Sequence, residues 1–121
     1  TIAPASVTAD TIVASTYINS EQAIKAWVNF DGTTNTAGKC TMRDNFNVTD
    51  VDDGGTGTYT INWDTNFGSV NYVVVGTTQD GLFVGEASAT HLVGSVKIYI
   101  RDTAGTLTDS DMISIIAIGD R

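Results

Sequence analysis

Residues 57–65 read Gly-Thr-Tyr-Thr-Ile-Asn-Trp-Asp-Thr, and the alternation within them is strict. Tyr59, Ile61 and Trp63 project to one side, and Thr58, Thr60, Asn62 and Asp64 to the other. A period of two with one apolar face is the pattern of a half-buried antiparallel strand. Upstream, Asn47-Val48-Thr49-Asp50-Val51 runs into Asp52-Asp53-Gly54-Gly55-Thr56, so the two stretches form a hairpin closed by a Gly-rich acidic turn. A second hairpin closes the chain. Val96, Ile98 and Ile100 alternate with Lys97, Tyr99 and Arg101, residues 102–105 turn, and residues 111–118 run back. Further strands are expected at 25–31, 39–46 and 70–78, with a weaker one at 83–88 and another at 7–14. Residues 19–24 fit a single capped helical turn.

Composition agrees. Of 121 residues, 19 are Thr, 12 Val and 11 Ile, against three Leu, so stiff β-branched side chains dominate. Seven to nine short strands spaced about ten residues apart predict an all-β, antiparallel β-sandwich. Residues 25–121 form that domain, and residues 1–24 an N-terminal arm or strand that could join a stem. Fourteen acidic side chains against six basic ones give a net charge of -8, which argues against nucleic acid and anionic membrane as partners. No apolar run reaches the ~20 residues of a membrane helix. Thr1 stands where a Met would start a chain, which suggests processing or a fragment.

Two strands are apolar on both sides. Ile113, Ile115 and Ala117 lie opposite Met112, Ile116 and Ile118; Val73 and Val75 lie opposite Val70, Tyr72 and Val74. A sandwich covers only the inner face, so the outer one needs another cover. Identical neighbours are one solution, giving an oligomer interface of Ile113, Ile115, Ala117, Val73 and Val75; a segment of the same chain is the other.

Chemical candidates are few. Counted as a calcium loop from Asp50, the acidic turn puts Gly54 at the fifth position and Ile61 at the twelfth, where ligands are required, so residues 50–53 read as a solvated turn. Cys40 shares a strand face with Met42 and reads as a buried thiol. His91 lacks companions for a metal site. Glu21 and Glu86 are the only glutamates, and no carboxylate pair is framed for glycoside cleavage. No cofactor, metal or catalytic residue is indicated, and an enzyme is not expected.

The run Lys25-Ala26-Trp27-Val28-Asn29-Phe30-Asp31-Gly32-Thr33 resembles the KAWVNF-(N/D)-G-T opening of many bacteriophage tail-fibre and related virion proteins. Residues 42–48 (MRDNFNV), 50–63 (DVDDGGTGTYTINW) and 71–76 (NYVVVG) are similar to later blocks of that family. The likeness spans about residues 25–119, with a longer loop at 33–38 and Trp63 where Phe is common. It implies a non-enzymatic virion module near a fibre end, often three-fold symmetric, and supplies no ligand or catalytic residues. The expectation is therefore a homotrimeric tail-fibre or appendage tip, built with other virion proteins, that contacts a host-surface glycan or protein. Loops at 33–38 and 77–83 would hold the contacts, through Thr34, Asn35, Gln79, Asp80 and Phe83. A capsid decoration or head-fibre protein and a carbohydrate-binding or adhesin module are the alternatives.

Overall fold

The computed structural model describes residues 23–120. The expectations for 7–14 and for most of 19–24 fall outside those residues; Ile24 opens a strand rather than closing a helical turn. Eight strands follow in chain order: β1 (Ile24–Thr36), β2 (Lys39–Phe46), β3 (Val48–Asp53), β4 (Thr58–Trp63), β5 (Val73–Thr78), β6 (Phe83–Glu86), β7 (Ser95–Arg101) and β8 (Ile113–Ile118). Every pairing is antiparallel.

The sandwich expectation needs correcting. All eight strands belong to one sheet, in the order β5-β8-β1-β2-β3-β4-β7-β6, curled into a nearly closed barrel. Its narrowest join is β2–β3, paired at the single position Lys39–Asp52. Asn47 turns the chain there with φ +57, and its side chain holds Thr65 through both the backbone N–H (2.6 Å) and carbonyl (3.1 Å). A short polar side chain tolerates this left-handed conformation better than most. The sheet therefore bends at this corner, and its two four-stranded halves share one core.

The edge strands β5 and β6 are consecutive in the chain. Thr78 Oγ1 accepts the Leu82 N–H at 2.9 Å and so holds the turn between them. Below it the two edges carry no ladder and flank a cavity of about 360 Å³, lined by residues that include Val74, Gly76, Val84, Glu86 and Ile98.

The register decides which faces are inside. Ala26, Val28 and Phe30 of β1 pair with Ala117, Ile115 and Ile113 of β8, and all six are buried. Ile113, Ile115 and Ala117, expected on an interface between copies, are thus placed in the core of the single chain. Val51, Tyr59, Ile61, Val96, Ile98 and Ile100 face them from the other half. Phe30 meets Tyr59 edge-on, with centroids 5.3 Å apart, an arrangement aromatic pairs favour.

Tyr59 also carries the core's polar node. Its hydroxyl lies 2.9 Å from the Gly32 carbonyl and 2.8 Å from Asp109 Oδ1, and the same Asp109 oxygen accepts the Gly57 N–H at 2.8 Å. Gly32 is glycine because a Cβ there would sit 2.4 Å from the Tyr59 hydroxyl. Gly57 has φ +61 and the Ile100 carbonyl 2.6 Å from where its Cβ would be. Replacing Tyr59→Phe keeps the ring but strips a partner from the buried Gly32 carbonyl; it should cost about 1–3 kcal/mol in urea unfolding. Gly32→Ala should cost at least as much, because overpacking against a fixed ring cannot relax. A loss under half a kcal/mol for both would show that the node does not hold the barrel top.

Candidate functional site

Because neighbours are all antiparallel in that order, odd-numbered strands run one way and even-numbered strands the other. The β1–β2, β3–β4, β5–β6 and β7–β8 connections therefore gather at one end. That end contains the predicted contact residues, and the side chains there are largely engaged. Thr34 Oγ1 donates to the Asp31 carbonyl (2.6 Å) and accepts the Thr41 N–H (2.8 Å). Asn35 donates to Asp53 Oδ2 at 2.8 Å and accepts the Gly38 N–H. Asp80 accepts the Ser110 hydroxyl at 2.7 Å, and the Gln79 N–H reaches the Met112 carbonyl. Phe83 opens β6 with 61% of its surface exposed.

The three carboxylates of the acidic turn, Asp50, Asp52 and Asp53, do not share one centre. Lys39 Nζ pairs with both Asp50 and Asp52, and Asn62 donates to the same two side chains at 2.6 and 2.9 Å. The Lys39 hydrogen bond foremost, then that from Asn62, holds the Asp52 carboxyl below its usual range. Asp53 instead faces Asn35 and the Gly55 N–H. Asp31 is held low chiefly by the Thr33 hydroxyl, and it pairs with Arg43 at 3.5 Å. Among the described residues no three His, Cys, Asp or Glu side chains gather as a cation site.

At the opposite end His91 Nδ1 lies 2.5 Å from Glu86 Oε1, and its ring packs 4.0 Å from Tyr72. Tyr72 accepts from Trp63 Nε1 at 3.1 Å, its hydroxyl lies 2.6 Å from the Leu92 carbonyl, and its ring stacks on Phe67. Burial pushes the Tyr72 hydroxyl pKa up. His91 Nε2 is enclosed without a hydrogen-bond partner. This cluster anchors the β6–β7 connection on the segment before β5, a packing role.

The most distinctive surface is the outer face of β5-β8-β1-β2. Residues directly opposite in a ladder share a face. Val75, Ile116, Trp27 and Phe46 are successive cross-strand partners over four strands. Val73, Ile118 and Ile24 make a second apolar row beside it. A third row, Thr77, Ser114, Asn29 and Asp44, is polar and closed by an Asn29–Ser114 hydrogen bond of 2.8 Å. Val73 is 58% and Val75 54% exposed, and Ile24, Phe46 and Ile116 are exposed as well. Sequence reasoning found Val73 and Val75 but missed Trp27, Phe46 and Ile116; the polar Ser114 among outward positions was the available signal.

Compared with known proteins, the chain matches no family model, no curated protein and no solved structure. The virion resemblance therefore stands on the residues quoted above.

Cys40 is buried, and desolvation, then the fields of Asp53 and Asp109, push its pKa up to about 12. Its thiolate is therefore much scarcer than an ordinary thiol's at neutral pH. Iodoacetamide should leave it unmodified in the native chain and alkylate it rapidly in urea. Fast native alkylation would show that this strand opens to solvent.

Proposed function

We propose that this chain is a non-enzymatic bacteriophage structural module, a tail-fibre or appendage tip that assembles as a homotrimer and presents its loop end to the host surface. One observation carries the assembly: two adjacent apolar rows, from Ile24 and Trp27 to Val73 and Val75, stand on the outside of a folded chain. Monomers seldom expose such contiguous apolar surface without a partner for it. Among the described residues no carboxylate lies in those rows, so copies of net charge -8 can approach there without setting like charges face to face.

The attachment half of the reading is supported by topology. Four connections gather at the end opposite the entry of β1, as suits a module carried on a stem and exposing its far end. The buried Cys40 thiol and the ring packing of His91 suit a structural role better than a catalytic one.

Light scattering over a concentration series tests the assembly. The expected mass is three times 12.8 kDa, falling to one chain for Val75→Lys and for Ile116→Lys. Both side chains are outside the core, so each variant should fold, with stability within about 0.5 kcal/mol of the parent. A monomer at every concentration, or a trimer indifferent to both substitutions, would overturn the interface. For attachment, labelled chain should adsorb to cells in a panel of bacterial strains. Adsorption to none would favour a capsid-decoration module instead.

A further inference from the structure

The Lys and Arg side chains of the described residues are not equivalent. Lys25 is buried and donates to the Gly119 carbonyl at 2.9 Å, Lys39 is held by Asp50 and Asp52, and Arg43 pairs with Asp31. Apart from the buried Lys25, Lys97 and Arg101 are the cations of the described residues that form no ion pair with a carboxylate. Both lie on β7, two alternations apart, on its outer face with Tyr99 between them. On an acidic surface, this stripe is where positive charge is left unneutralised.

Its surroundings are specific. The Arg101 guanidinium sits over the Tyr99 ring, 4.9 Å from the centroid, and Nη1 donates to the Gly105 carbonyl at 3.0 Å. The fork is thereby held in place while its remaining N–H groups stay available. Directly opposite Arg101 on β6 stands Phe83, the most exposed large apolar side chain of the described residues. Opposite Tyr99 on that strand is Gly85, with nothing within 4 Å of where a Cβ would be, so a shallow open step separates the aromatic groups. On the other flank, Thr58 and Thr60 of β4 face Tyr99 and Lys97. The nearby carboxylates are engaged: Asp102 accepts the Ala104 and Thr106 N–H groups, and Glu86 contacts His91.

We propose that Phe83, Arg101 and Lys97 form a binding site for an anionic saccharide. A sugar ring packs on the exposed Phe83 face. The carboxylate or phosphate it bears meets the Arg101 fork, with Lys97 taking a second negative charge further along the strand. Guanidinium–oxyanion pairing is bidentate and charge-assisted, so it discriminates an acidic sugar from a neutral one. The assignment deepens the attachment reading and rests on it for its biological setting. It moves the contact from the loop tips onto the adjacent sheet face.

The full chain would be titrated calorimetrically with oligogalacturonate and with phosphomannan, which carry the two anionic groups on sugar rings. Neutral dextran and poly-L-glutamate supply the ring alone and the charge alone. At least one anionic saccharide should bind roughly tenfold or more tightly than both comparators, and Arg101→Gln or Phe83→Ala should each remove about tenfold. Arg43→Gln, which takes away an arginine already paired, should change nothing. Overturning results are no binding of either anionic saccharide, equal binding of polyglutamate or of dextran, or an equal loss in Arg43→Gln. Cell adsorption by the same variants separates the two claims. Adsorption that survives Arg101→Gln and Phe83→Ala refutes this site and leaves attachment standing. Saccharide binding without adsorption to any cell refutes attachment and leaves the site.

Discussion

The Tyr59 hydroxyl makes a buried polar contact between the two halves of the sheet, and much of the barrel top depends on it. The ring comes from β4, the carbonyl it reaches belongs to Gly32 in β1, and Asp109 comes from the β7–β8 connection. A buried hydroxyl without a partner would cost more than the bond itself gains. The three elements are therefore positioned together or not at all. Burial first, then Asp109, raises the Tyr59 pKa, so the group stays a neutral donor. From this node the constraint spreads outward. Asp109 fixes Gly57, Gly32 donates to the Ser110 carbonyl, and the Ser110 hydroxyl reaches Asp80. Each loop at that end is tied to at least one other, so its surface is preorganised rather than adaptive.

One curled sheet has one inside, which leaves two outer faces of contrasting chemistry. The outer side of β5-β8-β1-β2 carries Val73, Val75, Ile116, Trp27 and Phe46 in register. The outer side of β3-β4-β7-β6 carries Asn62 and Lys39's partners Asp50 and Asp52, then Lys97, Tyr99 and Arg101. The first face suits burial against a like-charged copy, and the second suits water or a charged ligand. Neither needs a cleft, which accords with a module that binds through surfaces rather than one that encloses a substrate.

All eight strands of the described region were legible, because alternation is a local property and each strand carries its own. Turn chemistry was partly legible: Asp-Gly-Gly at 53–55 marks the β3–β4 hairpin, and Asp-Thr-Ala-Gly at 102–105 marks a turn, but the second hairpin expected there does not form, because β7 pairs with β4 and β6 while β8 pairs with β5 and β1. Whether the strands close into two sheets or one was not, since sandwich and barrel share the same period. The difference lies in the β2–β3 corner, where Asn47 adopts a left-handed conformation and one residue pair carries the ladder on. Nothing in the alternation of either strand encodes that. The loop-end cluster was partly legible from turn positions; the cationic stripe on β7 was visible as Lys-x-Tyr-x-Arg but lacked meaning until Lys39 and Arg43 were seen to be paired and Lys25 to be buried.

The misplacement of Ile113, Ile115 and Ala117 shows what a two-sided strand leaves undetermined. When both faces are apolar, hydrophobicity cannot say which one is inside, and a one-residue change of parity exchanges them. Two facts break the tie, and both need the neighbouring strand. Ser114 falls with Ile116 and Ile118, so that set contains a polar group, which must be hydrogen-bonded if buried. Across the ladder, Ser114 meets Asn29 and bonds it, while Ile113, Ile115 and Ala117 meet Phe30, Val28 and Ala26. The sets with no polar member pair with each other and go inside. The apolar residues left outside by this rule, Ile116 and Ile118, then line up with Val75 and Val73 because β5 obeys the same parity. The exposed rows are thus a consequence of the core's register and not an independent feature. A substitution that makes this outer face more polar need not disturb the core beneath it.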